Sequence, residues 1–126
     1  MKNFNELLEL ADILLGEGGC PWDREQTFDT LKKYLIEEAR EVIEAIDSKD
    51  WDNLKEELGD VLYNIIFIAK LAEYNNIFNI NEVIDGIHKK IIRRHPHIFE
   101  DKKNISSSEV KKLWNEIKIE EKKKGK

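Results

Sequence analysis

An all-α fold is predicted by three features of the 126-residue sequence. Apolar residues recur at three- and four-residue intervals in successive segments, and no stretch alternates apolar and polar residues as a half-buried strand does. Capping pairs, glycines and prolines mark the segment ends. A bundle of four or five helices follows, without internal repeats or low-complexity linkers.

The first helix is expected over roughly residues 3–16, where Phe4, Leu7, Leu8, Ile13, Leu14 and Leu15 fall at helical spacing before Gly16, Gly18 and Gly19 end the pattern. GGCPWDREQT then reads as a loop, because Pro21 disfavours helical backbone at Cys20. Thr27 is placed to cap a second helix reaching about Asp47. After the polar turn DSKD, a third helix spans about Trp51 to Asn75. It is apolar nearly all round in VLYNIIFIAKLA, which assigns it to the centre of the bundle. Asn79 with Glu82 forms a capping pair for a fourth helix, ended by Pro96 within RRHPHIF. Ser106 with Glu109 opens a fifth, carrying Val110, Leu113, Trp114 and Ile117 and fraying into EEKKKGK. One domain over 1–120 is expected, with 121–126 as a basic, mobile tail.

Composition excludes several functions. Lys and Arg total 21 against 26 Asp and Glu, a formal charge of −5, so no general attraction for nucleic acid backbones is expected. Cys20 is the only cysteine, which excludes an internal disulfide and a cysteine zinc cluster. The N-terminal segment lacks the basic start and apolar run of a signal peptide, and no apolar stretch is long enough to span a bilayer. A cytoplasmic location is the working expectation.

The chemistry-bearing residues are acids where leucines belong. At 100° per residue, Leu31, Leu35, Val42, Ala45 and Ile46 form one stripe of the second helix, and Glu38 projects from its middle. Glu41 lies at i+3 from Glu38, and Glu37 neighbours Glu41 at i,i+4. On the third helix Glu57 and Asp60 share a face with Asn64, Phe67 and Leu71. The short turn makes the two helices antiparallel neighbours, so the acids can converge. Like charges drawn together out of water need a cation, a shared proton or solvent. Oxygen-only donors favour Mg²⁺, with Mn²⁺ as a substitute. A solvated acidic face is the ordinary reading of EExxE alone; the second acidic pair and the place of Glu38 argue for the metal.

CPWDREQT at 20–27, LIEEARE at 35–41, EELGD at 56–60 and IRRHPHIF at 92–99 together resemble the MazG family of nucleoside triphosphate pyrophosphohydrolases, over about residues 4–120. The family's EExxE…ExxD signature matches Glu37, Glu38, Glu41, Glu57 and Asp60. The resemblance implies an all-helical fold, usually a homodimer. It also implies Mg²⁺-dependent hydrolysis of an NTP or dNTP to the monophosphate and pyrophosphate by water attack at the α-phosphorus. Residue by residue it makes Glu38, Glu41, Glu57 and Asp60 metal ligands, and Glu37 a further acid that binds metal or orients water. Lys90 and Arg94 match its phosphate contacts, and Trp114 with Lys118 a pair that holds the nucleotide. Many family members carry two such domains in tandem where one is seen here, and Arg40 within the acidic motif bears on substrate preference.

Bland readings accompany the rest. His95 and His97 flank Pro96 as a structural corner rather than metal ligands. Trp22 can stack on a base, though a Trp beside Pro more often seals a bundle end. Asn64 either bonds a carboxylate that supports the metal or is a satisfied core amide. Cys20 is structural, with no base and orienting group beside it. A dinuclear iron protein would show Glu-x-x-His pairs, which the acidic motifs lack. A non-catalytic nucleotide regulator or a helical partner-binding module remains as the alternative to an enzyme.

Overall fold

A computed structural model describes residues 1–125; Lys126, the last residue of the expected tail, lies outside the described residues. The described residues contain seven helices and no strand: α1 (Phe4–Leu15), α2 (Pro21–Arg24), α3 (Phe28–Asp47), α4 (Trp51–Tyr74), α5 (Ile80–Arg93), α6 (Pro96–Phe99) and α7 (Ser107–Lys124). The all-α expectation is met, with five long helices and two single turns that the sequence pattern does not announce. Both single turns begin at a proline, whose fixed φ suits the first helical position and whose missing N–H costs nothing there.

Local chemistry sets the helix starts. Asn3, Thr27 and Ser106 each accept a hydrogen bond from the backbone N–H three residues on and complete a reciprocal capping box. Asp50 accepts from the Asn53 N–H to start α4. Lys49 sits at φ 58° in the turn before it, which lets α4 fold back along α3. The last helix continues through Lys124, beyond the point at which the basic run was expected to fray.

Two compact units are distinguished, Met1–Ile80 and Asn81 onward. In the first, α3 packs along α4, and α1 packs on α4 and α2. As expected for a central helix, α4 supplies most of the buried side chains: Ile66, Phe67, Ala69 and Ala72, together with the polar Glu57, Asn64 and Lys70. Ala11 of α1 and Leu31 and Ala45 of α3 close against this core. Lys70 extends its ammonium to Asp12 at 2.7 Å, joining α4 to α1. Ile46 departs from the expected stripe: it is 49% exposed, at the open end of α3.

In the second unit α5 and α7 are joined by an ion-pair knot: Glu121 accepts from Arg93 Nε and, at 2.8 Å, from Arg94 Nη2. His97 is buried within the α6 turn, and His95 Nδ1 lies 2.7 Å from the Ile91 carbonyl oxygen, so this corner is organised by backbone contacts.

Candidate functional site

The stripe that should hold leucines on α3 meets the corresponding face of α4, and the acids meet there. Carboxylate oxygens of Glu41, Glu57 and Asp60 lie within 4.8 Å of one another. Glu57 is the innermost, 8% exposed, whereas Glu41 and Asp60 are open to solvent. Hydrogen bonding and charge from Glu41, then burial, then the Asp60 carboxylate hold the Glu57 carboxyl up to about 7, against an ordinary 4.5. Without a cation the cluster therefore keeps a proton near neutrality, one of the few ways three neighbouring carboxylates can coexist.

Glu38 stands beside this triad, bonded to α4. Its Oε1 accepts a 2.9 Å hydrogen bond from Asn64 Nδ2, one turn beyond Asp60 on α4. Burial raises the Glu38 carboxyl above its usual range, the Asn64 bond opposes that rise, and Asp60, Glu41 and Glu37 add to it. The expected link from Asn64 to a carboxylate is thus present. Glu37 is exposed on α3, near enough to Glu38 for its charge to add to the rise of that carboxyl. Of the five signature acids, the structure gathers Glu41, Glu57 and Asp60 tightly, keeps Glu38 at the edge on Asn64, and leaves Glu37 facing solvent.

The donor set fits a hard divalent cation. All donors are carboxylate oxygens, and their spread is within small side-chain rotations of the ~2.1 Å bonds that Mg²⁺ makes.

A cavity of about 320 Å³ opens against the same acids, with Glu38 and Asp60 in its wall. Trp22, Tyr34, Tyr63 and Phe67 supply its aromatic sides. The Trp22 and Tyr34 rings are 6.1 Å apart, and Tyr63 meets Phe67 edge-on at 6.2 Å. Sequence spacing gave no warning of this pocket, because its walls come from α2, α3 and α4.

In the second unit three of the four expected substrate contacts come together. The Arg94 guanidinium lies 5.2 Å from the Trp114 ring centroid. Arg94 and Lys118 also line a shared cavity of about 300 Å³. Lys90 is one turn back on α5, exposed, its carbonyl accepting from the Arg94 N–H. Glu121, which sequence reasoning left in the tail, shares the Arg94 cavity; Arg94 and then Arg93 hold its carboxyl down at about 2.

Known proteins resemble this chain. A family model described as the MazG nucleotide pyrophosphohydrolase domain matches residues 26–99. The chain is 48% identical over 123 residues to the nucleoside triphosphate pyrophosphohydrolase/pyrophosphatase MazG of Thermotoga maritima, covering 98% of this chain and 47% of that protein. It is 46% identical to the nucleoside triphosphate pyrophosphohydrolase of Escherichia coli (strain K12), covering 96% of this chain and 46% of that protein. The chain thus spans about half the length of these relatives. The crystal structure of a mazG-related protein from Thermotoga maritima superposes with a TM-score of 0.78 at 34% identity, covering 91% of this chain and 98% of that one.

Proposed function

Because the chain belongs to the MazG nucleotide pyrophosphohydrolase family, we propose that it hydrolyses nucleoside triphosphates to the monophosphate and pyrophosphate with a divalent metal, Mg²⁺ or in its place Mn²⁺. The observation that carries this reading is the convergence of Glu41, Glu57 and Asp60, from two helices, within 4.8 Å. A purely structural pair of helices would cover such a face with apolar side chains.

Glu41, Glu57 and Asp60 hold the metal, with Glu38 joining them from its Asn64-supported position. When bound, the ion neutralises phosphate charge and lowers the barrier to attack on phosphorus. Glu37, free of the triad, orients the attacking water or completes the ligand set. Lys90 and Arg94 take up remaining phosphate charge, and Trp114 and Lys118 hold the nucleotide. Water oxygen bonds to the α-phosphorus, the α–β bridging P–O bond breaks, pyrophosphate departs, and a proton passes to solvent through a carboxylate. Residues 1–120 form the catalytic module in this reading, acting in the cytoplasm; no helix among the described residues is long and apolar enough to cross a membrane.

Phosphorus NMR of ordinary ribo- and deoxynucleoside triphosphates incubated with the protein is the test. Monophosphate and pyrophosphate are expected with Mg²⁺ and neither with chelator. Release of orthophosphate and diphosphate, or turnover indifferent to chelator, contradicts the reading.

A homodimer is part of the proposal. Ile36 and Ile43 on α3 and Leu58, Leu62 and Ile65 on α4 are 40–57% exposed on two helices packed side by side, and a second copy would cover them. Light scattering is expected to give twice the 14.9 kDa chain mass. A monomeric mass that persists at high concentration removes the dimer from the proposal.

A further inference from the structure

We propose that Glu121 is a positioning residue for the phosphate contact: from α7 it holds the Arg94 guanidinium, at the end of α5, in the orientation that meets a substrate phosphate. The inference rests on the nucleotide reading above and gives a role in it to a residue outside the sequence motifs that define the site.

Trp114, Lys118 and Glu121 follow one another at i, i+4 and i+7 along α7, so they share one face of that helix. All three surround Arg94. Its guanidinium lies 5.2 Å from the Trp114 ring centroid, its Nη2 donates to Glu121 at 2.8 Å, and Lys118 lines the same cavity. A contact with an aromatic ring and an in-plane hydrogen bond constrain a guanidinium in two different directions. Arg94 Nε is buried, so the N–H groups left for an incoming anion are those on the terminal nitrogens that Glu121 does not take. The Arg94 side chain is 14% exposed and that of Glu121 23%, which spares the pair most of the solvent screening that weakens ion pairs at the surface.

Arginine is among the most rotamer-rich side chains, and a free one must be ordered when phosphate arrives. One already held does not carry that cost. A lone carboxylate beside a phosphate site would repel the substrate, but Arg93 answers the charge. Its Nε also donates to Glu121, so two guanidiniums share one carboxylate and the group keeps a net positive charge. Arg94 and then Arg93 hold the Glu121 carboxyl down at about 2, so the anchor stays ionised across the neutral range.

The test is a double-mutant cycle on kcat/KM with Mg²⁺, for whichever ordinary nucleoside triphosphate turns over fastest, in wild type, Glu121→Ala, Arg94→Ala and the two combined. Glu121→Ala is expected to lose ~10-fold, the order of the cost of ordering one free arginine on binding, and Glu121→Gln, which keeps an acceptor without the charge, to regain part of it. Once Arg94 is gone Glu121 has nothing to position, so adding Glu121→Ala to Arg94→Ala is expected to cost less than ~2-fold further. A loss by the same factor in both backgrounds, or a lowered melting midpoint with unchanged kinetics, makes Glu121 a structural tie between α5 and α7 and overturns the inference. A gain in kcat/KM in Glu121→Ala overturns it too, since the carboxylate would then compete with substrate. Should Glu121→Ala fail to fold, Glu121→Gln takes its place in the cycle. No turnover on any triphosphate overturns the hydrolase reading instead. Calorimetric titration with inorganic pyrophosphate then decides the role of Glu121: binding that weakens in Glu121→Ala, but no further when Glu121→Ala is added to Arg94→Ala, supports it, and equal or absent binding overturns it.

Discussion

Glu57→Gln is expected to lose at least ~10³-fold of the metal-dependent kcat while raising the thermal midpoint of the metal-free protein. The two effects have one cause. Glu57 is the least exposed of three carboxylates whose oxygens lie within 4.8 Å, so it is at once the most costly acid to ionise without a cation and a ligand the cation needs. A neutral amide removes the repulsion and one anionic ligand together. The pH dependence follows with an unusual sign. The folded-state value of about 7 is raised above the ordinary 4.5, so between those two the native state holds a proton that the unfolded chain has released. This group therefore lowers stability as pH rises from about 4.5 to about 7, the reverse of a salt-bridged carboxylate. Thermal melts of chelated protein across that window should show the midpoint of Glu57→Gln pulling ahead of the wild type as pH increases. A constant difference between the two would mean that Glu57 is not held protonated by its neighbours. A variant with full turnover would remove it from the metal set.

Arg94→Ala is expected to lower kcat/KM by roughly 10²- to 10³-fold, the usual cost of deleting a preorganised charge that faces phosphate. Its guanidinium is set for such a role: the ring of Trp114 supports it, one nitrogen is held by Glu121 at 2.8 Å, and it lines a cavity with Lys118. Arg94→Lys keeps the charge but loses the planar fork and the stacking geometry, so only part of the activity should return. Steady-state kinetics on both variants check this. If Arg94→Ala retained wild-type kcat/KM, the guanidinium would serve only the ion-pair knot between α5 and α7, and its loss would appear in the melting curve alone.

How far these sites were visible in the sequence depends on the range of the forces that build them. Capping is local, and Thr27 and Ser106 each act within one turn, so the starts of α3 and α7 could be read to within a residue or two, whereas the start of α1 was placed by its apolar spacing and its cap, Asn3, was not singled out. Four-residue helices carry no periodicity, which is why α2 and α6 were seen only as proline-containing breaks. The gathering of Glu41, Glu57 and Asp60 was legible because two helical repeats and one short turn fix which faces meet. The link from Asn64 to Glu38 was legible as one of two options for the same reason. Periodicity gives the direction of a side chain but not what covers it, and Ile46, aligned with the stripe of α3, is half exposed. Contacts between distant segments left no trace at all. Nothing in the basic C-terminal run marks Glu121 as the partner of Arg93 and Arg94, and nothing in CPWDREQT says that Gln26 and Trp22 border the same cavity as Tyr63 and Asn64.

The acidic cluster of α3 and α4 stands at the centre of the proposed chemistry, and calorimetric titration with Mg²⁺ addresses it without any substrate. Wild-type protein should bind saturably, with protons released on binding below about pH 7 as Glu57 gives up its own, and Glu41→Gln should bind more than ~10-fold more weakly. Equal affinity in wild type and Glu41→Gln, or no saturable binding by the wild type at millimolar Mg²⁺, would contradict the assignment of these carboxylates as the metal centre.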